Sequence, residues 1–381
     1  MIYLDNGATT LKKPDVVIEA VTDALTHLGN AGRGATDESL ETSRVVFQCR
    51  YNLAQLINAE SANQIAFTLN ATESLNAAIF GLFEPGDHVI TSVMEHNSVL
   101  RPLQELIDLG LEVTYLDVND QACVSSKDIE EAIQPHTKGV ILTHASNLTG
   151  NMNPIDDIAK VTQAHQLTLI VDASQSIGEH PIDVQQSGID VLCFTGHKGL
   201  MGPQGTGGIY VRQGIDIKPL KVGGTGTQTF DAHHPRQMPT VLEAGTLNGH
   251  GIAGLNAAVE YILEESVEDI SALLTDLTYY FYDRVKVIAG VKVYGHFDKD
   301  IPRTPIISIN IGNLDSSEVA NILSEDYNIA VRAGGHCAPK MHQSLGTEKH
   351  GVVRFSLSIF NNKEELDAAI HAVEEISEKY L

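Results

Sequence analysis

Positive charge is scarce in this chain. Its 381 residues include 25 Lys and Arg against 49 Asp and Glu, which gives a formal net charge of −24. Nucleic acids and anionic membrane surfaces carry negative charge themselves, so this imbalance argues against either as the main partner. It leaves room for small basic pockets that bind a phosphate or a carboxylate.

Cysteine is also scarce, and long apolar runs are missing. The four cysteines, Cys49, Cys123, Cys193 and Cys337, include no C-x-x-C pair, which argues against a disulfide framework and a zinc site. No apolar run approaches the roughly 18 residues of a membrane-spanning helix. The opening MIYLDNGATT lacks the basic and apolar regions of a signal peptide. We therefore expect a cytoplasmic protein with no metal site and no membrane segment.

The order of apolar segments predicts the fold class. A length of 381 residues, with 43% hydrophobic and 19% charged residues, is typical of a soluble globular protein of about two domains. Between residues 65 and 212, short apolar runs alternate with helical patterns, which predicts an α/β fold with a mostly parallel, doubly wound sheet. We expect an N-terminal arm at residues 1–15, a large domain at 16–255 and a smaller α+β domain at 256–381.

The most informative stretch runs from Thr168 to Pro203, TLIVDASQSIGEHPIDVQQSGIDVLCFTGHKGLMGP. Two apolar runs within it predict buried strands, of which the first ends at Asp172 and the second leads to Lys198. Ligands of parallel α/β sheets lie beyond the carboxyl ends of the strands, so we expect both residues to face one crevice. This pair suits pyridoxal phosphate (PLP), because lysine forms a Schiff base and a carboxylate keeps the pyridine nitrogen protonated. Either residue alone would more often be a helix cap or a solvated loop residue.

Asp172-x-x-Gln175 followed by Thr195-Gly-His197-Lys198 resembles a known pattern. It is similar to the fold-type I PLP enzymes of the class V aminotransferase group, and within that group to the cysteine desulfurases. The resemblance covers nearly the whole chain. It implies that Lys198 carries PLP, that Asp172 pairs with the pyridine nitrogen and that Gln175 bonds the phenolic oxygen. It also implies that Thr195 and His197 contact the cofactor.

Two further segments extend the resemblance to the phosphate and the ring. A helix predicted to start near residue 71 offers the Ala71 N–H and the Thr72 hydroxyl to a phosphate, since a helix N-terminus attracts anions. Simple N-capping by Asn70 or Thr72 is the alternative. The resemblance implies that His96 stacks on the pyridine ring and takes part in catalysis. It also implies that Asn147 holds the substrate carboxylate and the phenolic side of the cofactor.

Residues 214–249 lack a regular pattern, and a loop of this length in a compact domain is usually functional. They contain Glu243-Ala-Gly-Thr246, which resembles the family segment whose threonine reaches the phosphate of the neighbouring subunit. The resemblance therefore implies a homodimer with shared sites, in which Thr246 is a cofactor ligand. The loop at residues 30–36 resembles one near the dimer interface, with Ala-Thr where the family commonly has a histidine.

The stretch Arg332-Ala-Gly-Gly-His-Cys337-Ala-Pro indicates the reaction. A cysteine after two glycines lies on a flexible loop, where a cationic neighbour such as Arg332 would raise its thiolate fraction. The motif resembles the second, short-loop type of cysteine desulfurase and its selenocysteine lyase relatives. It implies that Cys337 accepts the substrate sulfur. A bystander cysteine is the alternative.

Arg354 lies in the strand pattern of residues 352–356 and matches the family arginine that binds the substrate α-carboxylate. A planar guanidinium suits this role because it forms two parallel hydrogen bonds with a carboxylate. Arg332 is the second expected substrate contact.

These residues together predict a PLP-dependent cysteine desulfurase. It would convert L-cysteine to L-alanine and leave a persulfide on Cys337 for a sulfur-acceptor protein, in iron–sulfur cluster assembly or other sulfur trafficking. L-Selenocysteine is a further expected substrate. Two alternatives stay open: another class V aminotransferase or lyase in which Cys337 is idle, and a non-catalytic PLP-binding or scaffold protein.

Overall fold

The computed structural model describes residues 1–29 and 37–380, so the predicted loop at residues 30–36 lies outside the described residues. The α-helices of the described part are α1 (Asp15–His27), α2 (Asp37–Leu56), α3 (Ala71–Leu82), α4 (Asn97–Ile107), α5 (Ser126–Ala132), α6 (Ile155–Ala164), α7 (Gly249–Glu265), α8 (Val267–Val285), α9 (Ser316–Tyr327), α10 (Pro339–Leu345) and α11 (Lys363–Tyr380). The β-strands are β1 (Ile2–Tyr3), β2 (Ile65–Thr68), β3 (His88–Ser92), β4 (Glu112–Leu116), β5 (Thr137–Thr143), β6 (Thr168–Asp172), β7 (Val191–Thr195), β8 (Gly207–Val211), β9 (Val291–Tyr294), β10 (Ile306–Ile311), β11 (Ile329–Ala330), β12 (Arg332–Gly334) and β13 (Val352–Ser356).

The large sheet has the strand order β2-β8-β7-β6-β5-β3-β4. Its strands from β7 to β4 are parallel to one another, and β8 runs antiparallel to both neighbours. Side chains of β6 alternate between the two faces: Leu169 and Val171 pack in one hydrophobic core and Ile170 in another. Burial on both faces is what a parallel sheet requires, and the predicted α/β class with a mostly parallel sheet is confirmed.

The second sheet is antiparallel and has the order β12-β13-β10-β9. Helices α8, α9 and α11 cover it with a third core, in which the tilted rings of Phe281 and Phe355 pack with centroids 4.9 Å apart. The short run at residues 329–332 contributes to two strands, β11 and β12. The N-terminal arm pairs in parallel with β11, whereas β12 pairs with β13, and a short apolar run cannot show that its two halves have different partners.

Three helices, α4, α5 and α10, were not predicted. Helix α10 starts at Pro339, and proline at the first helical position is a recognised start signal. The predicted domain boundary near residue 255 lies inside α7, so the division into domains stays a prediction. Among residues 1–29 and 37–380, no helix combines the length and the apolar character needed to cross a membrane.

Candidate active site

Three neighbouring strands of the large sheet end at one cavity. In register, Thr143 of β5 lies beside Asp172 of β6, and Asp172 lies beside Cys193 of β7, two residues before Thr195. Beyond these ends lies a cavity of about 180 Å³. Its walls carry nine of the predicted site residues, namely Ala71, Thr72, His96, Asn147, Asp172, Gln175, Thr195, His197 and Lys198. The crevice predicted beyond the carboxyl ends of the strands is therefore present.

The turn that carries Lys198 is tightly folded. The Gly202 N–H donates to the Gly196 carbonyl at 2.7 Å, and the Met201 N–H donates to the Lys198 carbonyl at 2.8 Å. A Cβ at Gly199 would lie only 2.6 Å from the Ile177 carbonyl oxygen, so a larger residue would push the lysine out of place. The conformation of this turn thus sets the direction of Lys198.

Burial controls the proton chemistry of Lys198. Removal from water lowers the pKa of its amine from 10.5 to about 8, although the charge of Asp172 acts in the opposite direction. Asp172 itself is 3% exposed, and its Oδ1 accepts hydrogen bonds from the backbone N–H and the hydroxyl of Ser174. An amine and a hydrogen-bonded carboxylate therefore share the buried cavity.

Two helix N-termini meet on another wall of the cavity. Asn70 caps α3, since its side chain accepts from the Glu73 N–H at 2.9 Å, and phosphate binding by Ala71 and Thr72 stays a prediction. The Thr72 hydroxyl lies 2.8 Å from the Ser98 hydroxyl, in the first turn of α4. The N-terminus of α3 and these hydroxyls offer donors to an anion.

His96 is the N-cap of α4. Its Nδ1 accepts the Ser98 N–H at 3.0 Å, so this nitrogen carries no proton, and burial followed by the charge of Lys198 lowers the pKa of the ring. His197 lies 3.0 Å from the Thr9 hydroxyl through its Nδ1, and burial lowers its pKa to about 4. Both rings are therefore neutral near pH 7.

Two buried polar atoms on the cavity wall have no hydrogen-bond partner in the described part of the chain. They are Thr195 Oγ1 and Asn147 Oδ1. Buried polar groups are nearly always hydrogen-bonded in folded proteins, so these atoms indicate a polar ligand in the cavity. Gln175 differs from them, because its Nε2 donates to the Gly7 carbonyl of the N-terminal arm at 3.0 Å.

Arg354 lies in β13 next to this cavity and is 2% exposed. Its Nη1 donates to the Asn147 carbonyl at 2.9 Å, and its Nη2 donates to Asp5 Oδ1 at 3.1 Å. Its Nε is buried without a partner among the described residues. Arg354 thus contacts the cavity through Asn147 and retains a free donor.

Cys337 opens to a different space. It is exposed, whereas Cys49, Cys123 and Cys193 are buried. It lines a groove of about 770 Å³ that also contains Arg332, and it is absent from the walls of the Lys198 cavity. The structure therefore places Cys337 and Lys198 in separate spaces.

The cysteine loop is anchored to the cavity by its backbone. Asn147 Nδ2 donates to the His336 carbonyl at 2.6 Å, and the Asn97 N–H donates to the Cys337 carbonyl at 2.8 Å. His336 and Cys337 have φ angles of 45° and 57°, the left-handed region that non-glycine residues rarely adopt. Asn147 thus contacts both Arg354 and the cysteine loop.

Thr246 lies away from Lys198, in a smaller cavity of about 60 Å³ that Glu243 also lines. Glu243 is fixed by Arg50, with an N–O distance of 2.7 Å between two buried side chains. The Phe67 N–H also donates to it at 2.7 Å. The contact of Thr246 with a neighbouring subunit stays a prediction.

The site also contains residues that were not predicted, among them Asp5, Ser98 and Ser174. Asp5 lies in the N-terminal arm, and Ser98 lies two residues after His96. Their roles depend on contacts with residues distant in the sequence, such as Arg354 and Thr72. A motif match alone does not reveal such contacts.

Comparison with known proteins agrees with this geometry. The model of the family described as aminotransferase class-V matches residues 2–369. The chain belongs to the aminotransferase class-V family. A member named "Probable cysteine desulfurase" from Methanothermobacter thermautotrophicus is 34% identical, over 99% of this chain and 94% of the relative. A member named "Cysteine desulfurase" from Escherichia coli O157:H7 is 30% identical, over 99% of this chain and 93% of the relative.

Solved structures named cysteine desulfurase have the same fold. The apo cysteine desulfurase from Thermococcus onnurineus superposes with a TM-score of 0.92 at 32% identity, covering 99% of this chain and 95% of the other. A cysteine desulfurase from Escherichia coli, solved as an S-sulfonic acid form, has a TM-score of 0.89 at 29% identity and covers 100% and 95% of the two chains. The resemblance to class V cysteine desulfurases is therefore confirmed.

Proposed function

We propose that this protein is a PLP-dependent cysteine desulfurase that converts L-cysteine to L-alanine and holds the sulfur as a persulfide on Cys337. One observation carries the proposal: Asn147 lines the Lys198 cavity and also bonds the backbone of the loop that presents the exposed Cys337. The relatives and solved structures named cysteine desulfurase support the same activity.

The cavity residues fit PLP. Asp172 can pair with the pyridine nitrogen, and the N-terminus of α3 with the Thr72 hydroxyl can hold the phosphate. The unpaired atoms Thr195 Oγ1 and Asn147 Oδ1 are free to bond a polar ligand, and His96 supplies a neutral ring at the same wall. When bound through Lys198, PLP supplies an electron sink for cleavage at the substrate Cα and Cβ.

Lys198 acts as the base in this proposal. Because burial lowers the pKa of its amine to about 8, a far larger fraction is unprotonated near pH 7 than for a lysine in water. With L-cysteine in the cavity, Lys198 Nζ would take the Cα proton. The low-water environment that lowers its pKa thus prepares it for proton transfer.

Arg354 and Asn147 orient the substrate. The α-carboxylate binds the guanidinium of Arg354, which has an unpaired Nε, and the amide of Asn147, whose carbonyl already accepts from Arg354. This fixes the carbon skeleton and directs the substrate thiol towards the cysteine loop. Arg332, on the neighbouring strand β12, lines the groove of Cys337 and adds positive charge on the path of the substrate.

Cys337 then takes the sulfur. Its thiolate attacks the substrate sulfur, an S–S bond forms and the C–S bond breaks. The electron pair of that bond stays with the carbon skeleton, which takes up a proton and leaves as alanine. Because Cys337 lines a separate groove, its loop must move inward for this step. Gly335 of this loop lies in open space, since no atom lies within 4 Å of the position of an added Cβ.

The remaining parts of the proposal concern partners and location. We propose a homodimer in which Thr246 reaches the phosphate held by the other subunit, a sulfur-acceptor protein that approaches Cys337 from its exposed groove, and a cytoplasmic location. L-Selenocysteine is a further proposed substrate. The position of Thr246 supports the dimer. Thr246 lies in a separate cavity from Lys198 of its own subunit, so a phosphate that it contacts would be the one held by the other subunit.

A second candidate function is a class V aminotransferase or lyase in which Cys337 is idle. The observation in its favour is that Cys337 does not line the Lys198 cavity. Of the two candidates, only the desulfurase requires the cysteine loop to move.

The deciding experiment measures sulfide and alanine released from L-cysteine, together with amino transfer to keto acids. After cysteine addition, mass spectrometry of the wild type should find one extra sulfur on the Cys337 peptide. Cys337→Ala should lose this sulfur, and the matched control Cys123→Ala should keep it. Sulfur on Cys49, Cys123 or Cys193 instead, or wild-type desulfuration by Cys337→Ala, would reject the desulfurase mechanism in favour of the second candidate.

A further inference from the structure

Two arginines lie directly opposite each other in the small sheet. Arg332 of β12 and Arg354 of β13 are register partners in an antiparallel pair. Like charges opposite each other on neighbouring strands are destabilising, so this arrangement needs a nearby negative charge. In the described part of the chain, the one carboxylate in an ion pair with Arg354 is Asp5, at 3.1 Å.

The backbone of Asp5 is fixed on both sides. Asp5 forms a parallel bridge with Ser356, two residues after Arg354 in β13. The Ser356 N–H donates to the Leu4 carbonyl at 2.7 Å, and the Ala8 N–H donates to the Asp5 carbonyl at 3.1 Å. With its backbone held in this way, the Asp5 carboxylate can move only by rotation of its short side chain.

We propose that Asp5 is a positioning residue that holds the guanidinium of Arg354 in the plane that binds the substrate α-carboxylate. This inference rests on the proposed role of Arg354 in substrate binding. It assigns to the N-terminal arm a part in substrate recognition, beyond its packing against the small sheet.

The hydrogen bonds that the N–H groups of Arg354 donate support this role. A guanidinium has five N–H groups. Nη1 donates one to the Asn147 carbonyl and Nη2 donates one to Asp5, whereas Nε is buried and unpaired. A guanidinium edge binds a carboxylate through two parallel hydrogen bonds, and Nε belongs to one such edge. Asp5 and Asn147 thus restrain the group at its two terminal nitrogens, and Nε has no hydrogen-bond partner in the described part of the chain.

The space around the guanidinium also limits its rotation. A Cβ added at Gly7 would lie 3.3 Å from Arg354 Cζ, so the arm packs closely against one side of the group. Loss of the Asp5 carboxylate would remove the charged anchor and leave the arginine pair without its counter-charge. The guanidinium would then lose its restraint at Nη2, at the expense of carboxylate binding.

The test compares ligands with and without an α-carboxylate. The PLP-loaded wild type, Asp5→Ala and Asp5→Asn are titrated with L-cysteine and with cysteamine, and binding is followed by visible absorbance. Asp15→Ala is the matched control, because Asp15 is an exposed carboxylate at the other end of the arm. Thermal unfolding of each variant prepared without PLP checks that it folds.

We expect Asp5→Ala to weaken L-cysteine binding by about tenfold, the loss of one hydrogen bond to a charged group, and to leave cysteamine binding unchanged. Asp5→Asn, which can still accept a hydrogen bond, should show a smaller loss and covers the case in which Asp5→Ala does not fold. KM for L-cysteine should rise more than kcat falls. Asp15→Ala should bind both ligands like the wild type.

Equal weakening of both ligands in the Asp5 variants would overturn the inference, because it would indicate general disruption of the site. Unchanged or tighter L-cysteine binding would overturn it as well. Failure of the proposed desulfurase activity is a separate result: the wild type would then release no alanine from L-cysteine, while the ligand comparison would still report on Asp5.

Discussion

The turn that carries Lys198 and the loop that carries Cys337 hold the two proposed reacting groups in opposite environments. The lysine lies in a cavity of about 180 Å³, where burial lowers the pKa of its amine to about 8. The cysteine is exposed beside a groove of about 770 Å³, on a backbone in the left-handed region. The surroundings of the lysine change its pKa, whereas the cysteine is exposed at the surface.

This difference suggests that the base and the sulfur-accepting thiol need different environments. A base that must lose and regain a proton benefits from a dry, rigid site, because desolvation makes the neutral amine accessible near pH 7. A thiol that must take sulfur inside and deliver it outside benefits from a loop that can move between the two. The contact of Asn147 with the His336 carbonyl, at 2.6 Å, joins the two regions.

Lys198→Ala gives the largest expected effect. It removes both the covalent link to PLP and the base, so turnover should fall by at least about 10³-fold, and borohydride should no longer fix cofactor to the protein. Lys13→Ala is the matched control, since Lys13 is another lysine of lowered pKa that contacts the His197 carbonyl. Cofactor still trapped on Lys198→Ala would contradict the assignment.

Cys337→Ala addresses the exposed side of the comparison. Alanine production from L-cysteine should fall by about 100-fold or more, because a methyl group cannot accept sulfur. The absorbance of bound PLP and the affinity for L-cysteine should stay as in the wild type. L-Selenocysteine turnover should be partly spared, since selenium leaves more easily without help. A parallel loss of PLP absorbance would mean that the loop is part of the cofactor site rather than a separate region.

Asp172→Asn tests whether charge or shape matters at the buried site. The amide should retain PLP but stabilise the protonated ring poorly, so kcat/KM should fall by about tenfold or more. The measurement is steady-state kinetics with the PLP content of each preparation determined beside it. A change of less than about threefold, equivalent to roughly 0.7 kcal/mol, would count against the pairing with the pyridine nitrogen.

The two regions should also titrate in different pH ranges. Burial lowers the pKa of His336 in the cysteine loop from 6.5 to about 3. Between these values the unfolded chain binds a proton that the folded chain does not, so the free energy of unfolding should rise as pH increases from 3 to 6.5. For Lys198 the pKa is about 8 in the folded chain against an ordinary value of 10.5. By the same reasoning, the free energy of unfolding should also rise between pH 8 and 10.5.

Urea unfolding of the protein without PLP, repeated across these pH ranges, measures the acid and the alkaline slope of the free energy of unfolding against pH. These slopes are the smallest of the expected effects. His336→Gln should reduce the acid slope, to which the lowered pKa of His197 also contributes, and leave the alkaline one. Lys198→Met should reduce the alkaline slope, to which the lowered pKa of Lys13 also contributes, and leave the acid one. The same slopes in wild type and variants would show that these groups do not carry the pH dependence.

Much of the fold was predictable because its signals are local. Apolar runs bounded by polar residues predicted the strands that end at Asp172 and Thr195, and both are buried along the sheet. Boundaries were less predictable: the short run at residues 329–332 contributes to two strands, β11 and β12. Helix α4 was not predicted, although His96 at its N-cap was recognised for another reason.

The sequence by itself determined the fold class, the family and the meeting of Asp172 with Lys198. Adjacent parallel strands have their carboxyl ends at the same edge of the sheet. A motif at the end of such a strand is therefore predicted to lie at that edge. Only the tertiary structure decided that Asp5 pairs with Arg354, that Gln175 bonds the Gly7 carbonyl and that Cys337 opens to a separate groove. Asp5 and Arg354 are 349 residues apart in the sequence. Such contacts arise from the packing of one sheet and its arm against another, which residue spacing within a single element does not encode.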